Sequence, residues 1–256
     1  MSIVDAMAKE MTVIGHLTEL RKRLIIVLLV FLASMSAGFY FAPDILAWIK
    51  RTSHTTHIEW NVFGFTDGLM IYLKCALIVA IFFTLPVLFY QTWKFVRPGL
   101  TEQEAKNTFW YVPVSFFLFL IGASFAYYIV FPFMIQFMSS INQSLGASEV
   151  YGMDKYLTFM FNTVLPVSLV FELPLIILFL TRLELISPRM LRKSRKKAYF
   201  VLVIIALMIT PPDITSDLLV SVPLILLFES GILISEWATR IEKRKGLQNV
   251  GLENQS

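Results

Sequence analysis

Six apolar runs, at about residues 24–42, 68–90, 109–131, 157–180, 198–210 and 218–237, leave this chain little choice of solvent. A bilayer core about 30 Å thick asks for roughly 20 apolar residues per crossing helix, and five of the six runs have that length. The chain is 57% hydrophobic and 16% charged, against an apolar share of about 45–50% in soluble domains. These runs predict an all-α polytopic membrane protein with six transmembrane helices. One integral membrane domain over 1–256 is expected, because the loops are too short to bury a core of their own.

Charge sets the orientation. Arg21, Lys22 and Arg23 run straight into the first apolar segment, and cations beside a span resist translocation. The N-terminal flank, the 91–108 connection, the 182–197 connection and the tail hold 18 of the 22 Lys and Arg residues; Lys50, Arg51, Lys74 and Lys155 are the rest. Both termini are therefore expected in the cytoplasm. The first span is expected to stay in place, since no small-residue cleavage pattern follows it. Pro43 and Asp44 should end the first span and Pro132 the third, while Lys74 should snorkel from the outer end of the second. The fifth run is odd: 13 residues at 1.5 Å each cover only about 20 Å, so this helix reads as short.

Acids are unusual in cationic loops. At about 100° per residue, Ile14, Leu17, Leu20 and Leu24 form an apolar stripe, with His16, Glu19 and Arg23 opposite. Glu19 is either one half of an i,i+4 pair with Arg23 or, with Glu102 and Glu104, part of an acidic patch able to receive guanidinium groups. Glu172 lies about eight residues inside the fourth span, where a charge costs at least ~2.5 kcal/mol, so it should be neutral, partnered or facing a cavity; Glu229 is a second such acid. Thr210-Pro211-Pro212-Asp213 forms a stiff turn. His16 has no second His or Cys at metal spacing, the single Cys75 excludes an internal disulfide, and catalytic and phosphate-loop motifs are absent, so neither an enzyme nor a cofactor nor a metal is expected. The net charge of +4 points to anionic lipid surfaces, not nucleic acid.

His16 to Leu24, Leu88 to Leu100 followed by Glu104, Phe171-Glu172-Leu173-Pro174 and Thr210-Pro211-Pro212-Asp213 together resemble the signature stretches of the TatC family, the signal-peptide receptors of the twin-arginine translocase. The likeness implies a concave cup of six helices, the last two short, in the cell membrane, N-in and C-in. Within it, Glu19 and Glu104 would form the arginine-binding patch, with Arg21 and Phe95 as neighbours. Glu172 would be a polar site facing the cup, and Pro211, Pro212 and Asp213 an outer contact for partner helices. The implied partners are the Arg-Arg signal peptides of folded precursors, single-span subunits of the TatA and TatB type and further copies in a larger complex, with the proton-motive force as energy source. Arg97 stands where the family commonly has a small residue, and Thr101 where it commonly has Tyr. The alternative reading is a proton-coupled transporter of a small solute with Glu172 as the proton carrier.

Overall fold

A computed structural model of the protein describes residues 3–52, 60–97, 108–146, 150–183, 185–210 and 214–253, with backbone alone for 3–14, 16 and 241–253. Among them regular structure is helical. The elements are α1 (Ile3–Tyr40), α2 (Ala42–Thr52), α3 (Asp67–Val96), α4 (Tyr111–Phe125), a π-turn (Ala126–Val130), α5 (Phe131–Ser144), α6 (Met153–Val170), α7 (Leu173–Arg182), α8 (Pro188–Ile209) and α9 (Ile214–Glu253). Five helical stretches among the described residues are long and apolar enough to cross a membrane: Leu17–Tyr40, Asp67–Val96, Tyr111–Ser144, Met153–Arg182 and Ile214–Arg240. The expected fifth span at 198–210 is the apolar half of α8, whose first turns carry Arg189 to Lys197. Contacts divide the chain into two compact units, Met1–Phe116 with Tyr151–Leu157, and Phe117–Val150 with Thr158–Ser256.

In the first unit α1 and α3 run antiparallel, with Gly38 against Ala76 near one end and Arg23 against Gln91 near the other. Lipid tails are as apolar as leucine, so helices in a membrane gain by close packing of small residues. Gly38 does this here. A Cβ on it would sit 2.9 Å from the Ala76 Cα, and Cys75, Ala76 and Ala80 are fully buried on the facing side of α3. Gly38→Ala should therefore destabilise the protein by about 1–3 kcal/mol through overpacking, although alanine is the better helix former. Gly15→Ala, with nothing within 4 Å of the new methyl group, should stabilise by up to about 1 kcal/mol. Equal shifts of the two unfolding midpoints in detergent would remove the close approach from this account.

The Lys74 ammonium forms an ion pair with the Asp154 carboxylate and donates to the Asp154 carbonyl at 3.3 Å. Inside an apolar span an ammonium is stabilised by an acid brought to it, and the segment around Asp154 is anchored nearby. Asn61 and Gly152 form an isolated parallel bridge, Met153 N donates to Asn61 O at 2.9 Å, and the Trp60 and Tyr156 rings meet at 5.0 Å.

The third apolar run does not stop at Pro132 in the second unit. Pro132 lacks an N–H, and its ring would clash with the Tyr128 carbonyl of a regular helix. The π-turn over Ala126–Val130 widens the helix where that carbonyl lies, and α5 continues to Ser144. α6 returns antiparallel: Phe171 packs where a Cβ of Gly122 would lie, and Thr163 Oγ1 is 3.7 Å from Met134 Sδ. α7 and α9 then run in the same direction, Ile177 against Gly231 and Thr181 Oγ1 2.7 Å from Ser235 Oγ one turn later. α8 runs counter to α9, and Val167, Leu202, Ala206, Val220, Leu224, Phe228 and Ile232 form the buried core.

Candidate functional site

The expected apolar stripe of α1 faces away from the protein. Leu17 is 60% and Leu24 65% exposed, while Glu19 and Arg23 on the other side are 34% and 12% exposed in their side chains. This inversion is what lipid imposes, because apolar side chains lose nothing by facing hydrocarbon and polar ones must find partners within the protein. Arg23 pairs with Glu19 one turn earlier, and its Nη1 donates to Gln91 Oε1 of α3 at 3.4 Å. The i,i+4 pair read from the sequence is present and Gln91 extends it. Arg23 thereby orients the Glu19 carboxylate.

One turn beyond Gln91, the end of α3 carries an aromatic cluster. Trp93 is buried between Tyr90, at a ring distance of 6.0 Å, and Phe109 at 5.2 Å. The Arg97 guanidinium lies 5.6 Å from the Trp93 ring centroid, turned onto an indole face in a cation–π contact. Phe95 is half-buried beside this cluster, and Arg21 is exposed on α1. Glu19, Arg21 and Arg23 on α1 and Gln91, Phe95 and Arg97 at the end of α3 thus belong to one unit, in which the Arg23–Gln91 hydrogen bond links the two helices. Glu102 and Glu104 lie outside the described residues.

Glu172 belongs to the second unit and is 3% exposed. α6 ends at Val170, the turn at Phe171-Glu172 intervenes, and α7 starts with Pro174 in its first turn. Pro174 has no N–H for the Val170 carbonyl, so the helix breaks there. The Glu172 carbonyl accepts from Leu175 N at 3.0 Å and Ile176 N at 2.9 Å, and its N–H donates to Leu169 O at 3.1 Å. These main-chain bonds fix the position of Glu172 at the helix break. Pro211, Pro212 and Asp213 lie outside the described residues; flanking them, Thr210 Oγ1 donates to the Ala206 carbonyl at 2.9 Å and to the Asp217 carboxylate.

Two further clusters have no counterpart in the sequence reading as pairs. Glu229 accepts from Arg195 Nη2 at 2.6 Å and from the Tyr199 hydroxyl, and Glu236 pairs with Arg192. The Glu236 hydrogen bond pushes the Arg192 guanidinium above its usual pKa. A signal for them exists: acids seven residues apart on one helix and cations three apart on an adjacent one meet when the helices run antiparallel.

The family model for the Sec-independent protein translocase protein TatC matches residues 15–223. The TatCy protein of Bacillus subtilis is 45% identical over 231 residues, covering 90% of this chain and 91% of that protein. The TatC protein of Halalkalibacterium halodurans is 40% identical over 232 residues, covering 91% and 92%. A crystal structure of the twin arginine translocase receptor TatC superposes with a TM-score of 0.73 at 32% identity, covering 88% of this chain and 99% of that one.

Proposed function

The chain belongs to the TatC family of Sec-independent protein translocase proteins, and from that premise we propose that it is the translocase subunit that receives twin-arginine signal peptides of folded precursors. The observation that carries the reading is the extent of the match. Residues 15–223 contain all four signature stretches, so the resemblance is a property of most of the chain and not of one motif.

In this reading Glu19 and Glu104 bind the paired guanidinium groups, with Arg21 and Phe95 shaping the patch. The partly exposed Glu19 carboxylate, oriented by Arg23, supports it, since guanidinium groups favour bidentate pairing with carboxylates. Glu172 offers a polar contact at membrane depth to TatA- or TatB-type single-span subunits, and Pro211, Pro212 and Asp213 contact the same partners from outside. Copies of the subunit gather in a larger complex around a cargo, driven by the proton-motive force.

The chain crosses the plasma membrane six times, N-in and C-in. Two features support the sixth crossing. α8 opposes α9, which itself runs parallel to α7, so the chain must reverse between them; and α8 places its cations at one end and its apolar residues at the other. Site-specific photocrosslinkers at positions 19, 95 and 104 should trap a twin-arginine signal peptide, and a Lys-Lys peptide should not compete. Crosslinks confined to other positions would overturn the patch.

A further inference from the structure

We propose that the outward face at the start of α8 is a binding site for the headgroup of anionic phospholipid. The inference rests on how this helix divides its cations, and it stands independently of the signal-peptide reading. Arg192 and Arg195 turn toward α9, where Glu236 and Glu229 neutralise them. Arg189, Lys193, Lys196 and Lys197 are exposed on the other side and have no acid partner among the described residues. Steps of three and four residues continue this cationic row into Phe200, Val201, Ile204 and Met208, all exposed, while Leu191, Leu202 and Ala206 are buried behind it. One helix face therefore reads cationic and then apolar along its length.

The dimensions suit one leaflet. Eleven residues separate Lys193 from Ile204 and Lys197 from Met208, about 16 Å of helix, or roughly half of a 30 Å hydrocarbon core. The apolar row lies along acyl chains when the cations stand at headgroup level. A second observation sets that level: Trp237, next to the Glu236 that pairs with Arg192, is 66% exposed on α9, and exposed tryptophan marks the membrane interface. A cluster of lysines at that depth binds an anionic headgroup as a set of point charges that need no fixed geometry. Neutralised Arg192 and Arg195 hold α8 against α9, so the remaining cations are presented on a fixed helix.

The test uses the full chain in phosphatidylcholine bilayers with spin-labelled lipids, measuring motionally restricted phosphatidylglycerol relative to phosphatidylcholine. The wild type should prefer phosphatidylglycerol by about five-fold or more, since each cation at an anionic surface contributes on the order of five-fold. Combined Arg189→Gln, Lys193→Gln, Lys196→Gln and Lys197→Gln should bring the preference to within about two-fold of unity. The single Lys193→Gln and Lys197→Gln variants should lower it partly, and combined Lys→Arg replacements should retain it. Equal association of both lipids with the wild type, unchanged preference in the Gln variants, or displacement of the labelled lipid by millimolar inorganic phosphate would each overturn the proposal.

Discussion

Charge reversal at Glu19 and Glu104 together is expected to lower the affinity for a twin-arginine signal peptide by at least about 100-fold. Removing one partner of a desolvated charge pair costs roughly 2–5 kcal/mol, and exposure lowers that figure. Glu19 is about one-third exposed, so Glu19→Ala alone should cost about ten-fold in affinity. Its loss has a second component. Arg23 is left with Gln91 and without its acid, so a cation now faces the incoming arginines. Lysine at both positions adds repulsion to Arg21, Arg23 and Arg97. The unfolding midpoint in detergent should move little, because the side chain of Glu19 buries no apolar core. Peptide binding by the double variant within about three-fold of wild type would eliminate the acidic patch as the receptor site.

Much of the fold was legible because lipid allows few solutions. Apolar runs near 20 residues predict helices of that kind, and five of them are present among the described residues. Where the reading failed, a local rule met a tertiary exception. Pro132 should end a helix, yet the π-turn ahead of it moves the carbonyl with which it would clash, and the helix runs on to Ser144. Lys74 was legible as a cation inside a span but its acid was not, because Asp154 lies 80 residues away, in a segment held by the Asn61–Gly152 bridge and the Trp60–Tyr156 contact. Periodicity reports a stripe on α1 without saying which side faces the protein. In water Leu17, Leu20 and Leu24 would turn inward; in lipid they turn outward and Glu19 and Arg23 turn in.

The candidate site divides along the same line. Glu19 and Glu172 were visible as acids where acids are costly, and the i,i+4 relation to Arg23 follows from helix geometry alone. Gln91 was not visible as a partner. An amide is unremarkable in a sequence, and its role depends on the antiparallel register that the Gly38–Ala76 contact sets at the far end of the same helix pair. Glu229 stood out as an acid inside an apolar run, but Arg195 and Tyr199 could not be assigned to it without knowing that α8 and α9 are antiparallel. Arg97 looked like a cation competing with the acidic patch; its placement over Trp93 gives that charge an aromatic partner instead.

Substitution at Glu172 separates a receptor from a proton-coupled transporter. The residue is 3% exposed at a helix break held by main-chain hydrogen bonds, which survive any side-chain change. Gln fills nearly the same volume and can both donate and accept, so as a polar contact for a partner helix it replaces Glu. Glu172→Gln should keep at least about half of wild-type export, since an interhelical hydrogen bond in lipid is worth only about 1–2 kcal/mol and is retained here. Glu172→Ala removes that bond and leaves a void behind Pro174, so association with TatA- or TatB-type subunits should fall about ten-fold. Signal-peptide affinity should stay near wild type in both variants, because Glu19 belongs to the other compact unit. A proton carrier behaves differently: Gln cannot gain and release a proton, so transport would vanish while partner association stayed intact. Co-purification of partner subunits, measured beside export for the two variants, distinguishes these outcomes, and dead export with normal association in Glu172→Gln would overturn the contact role.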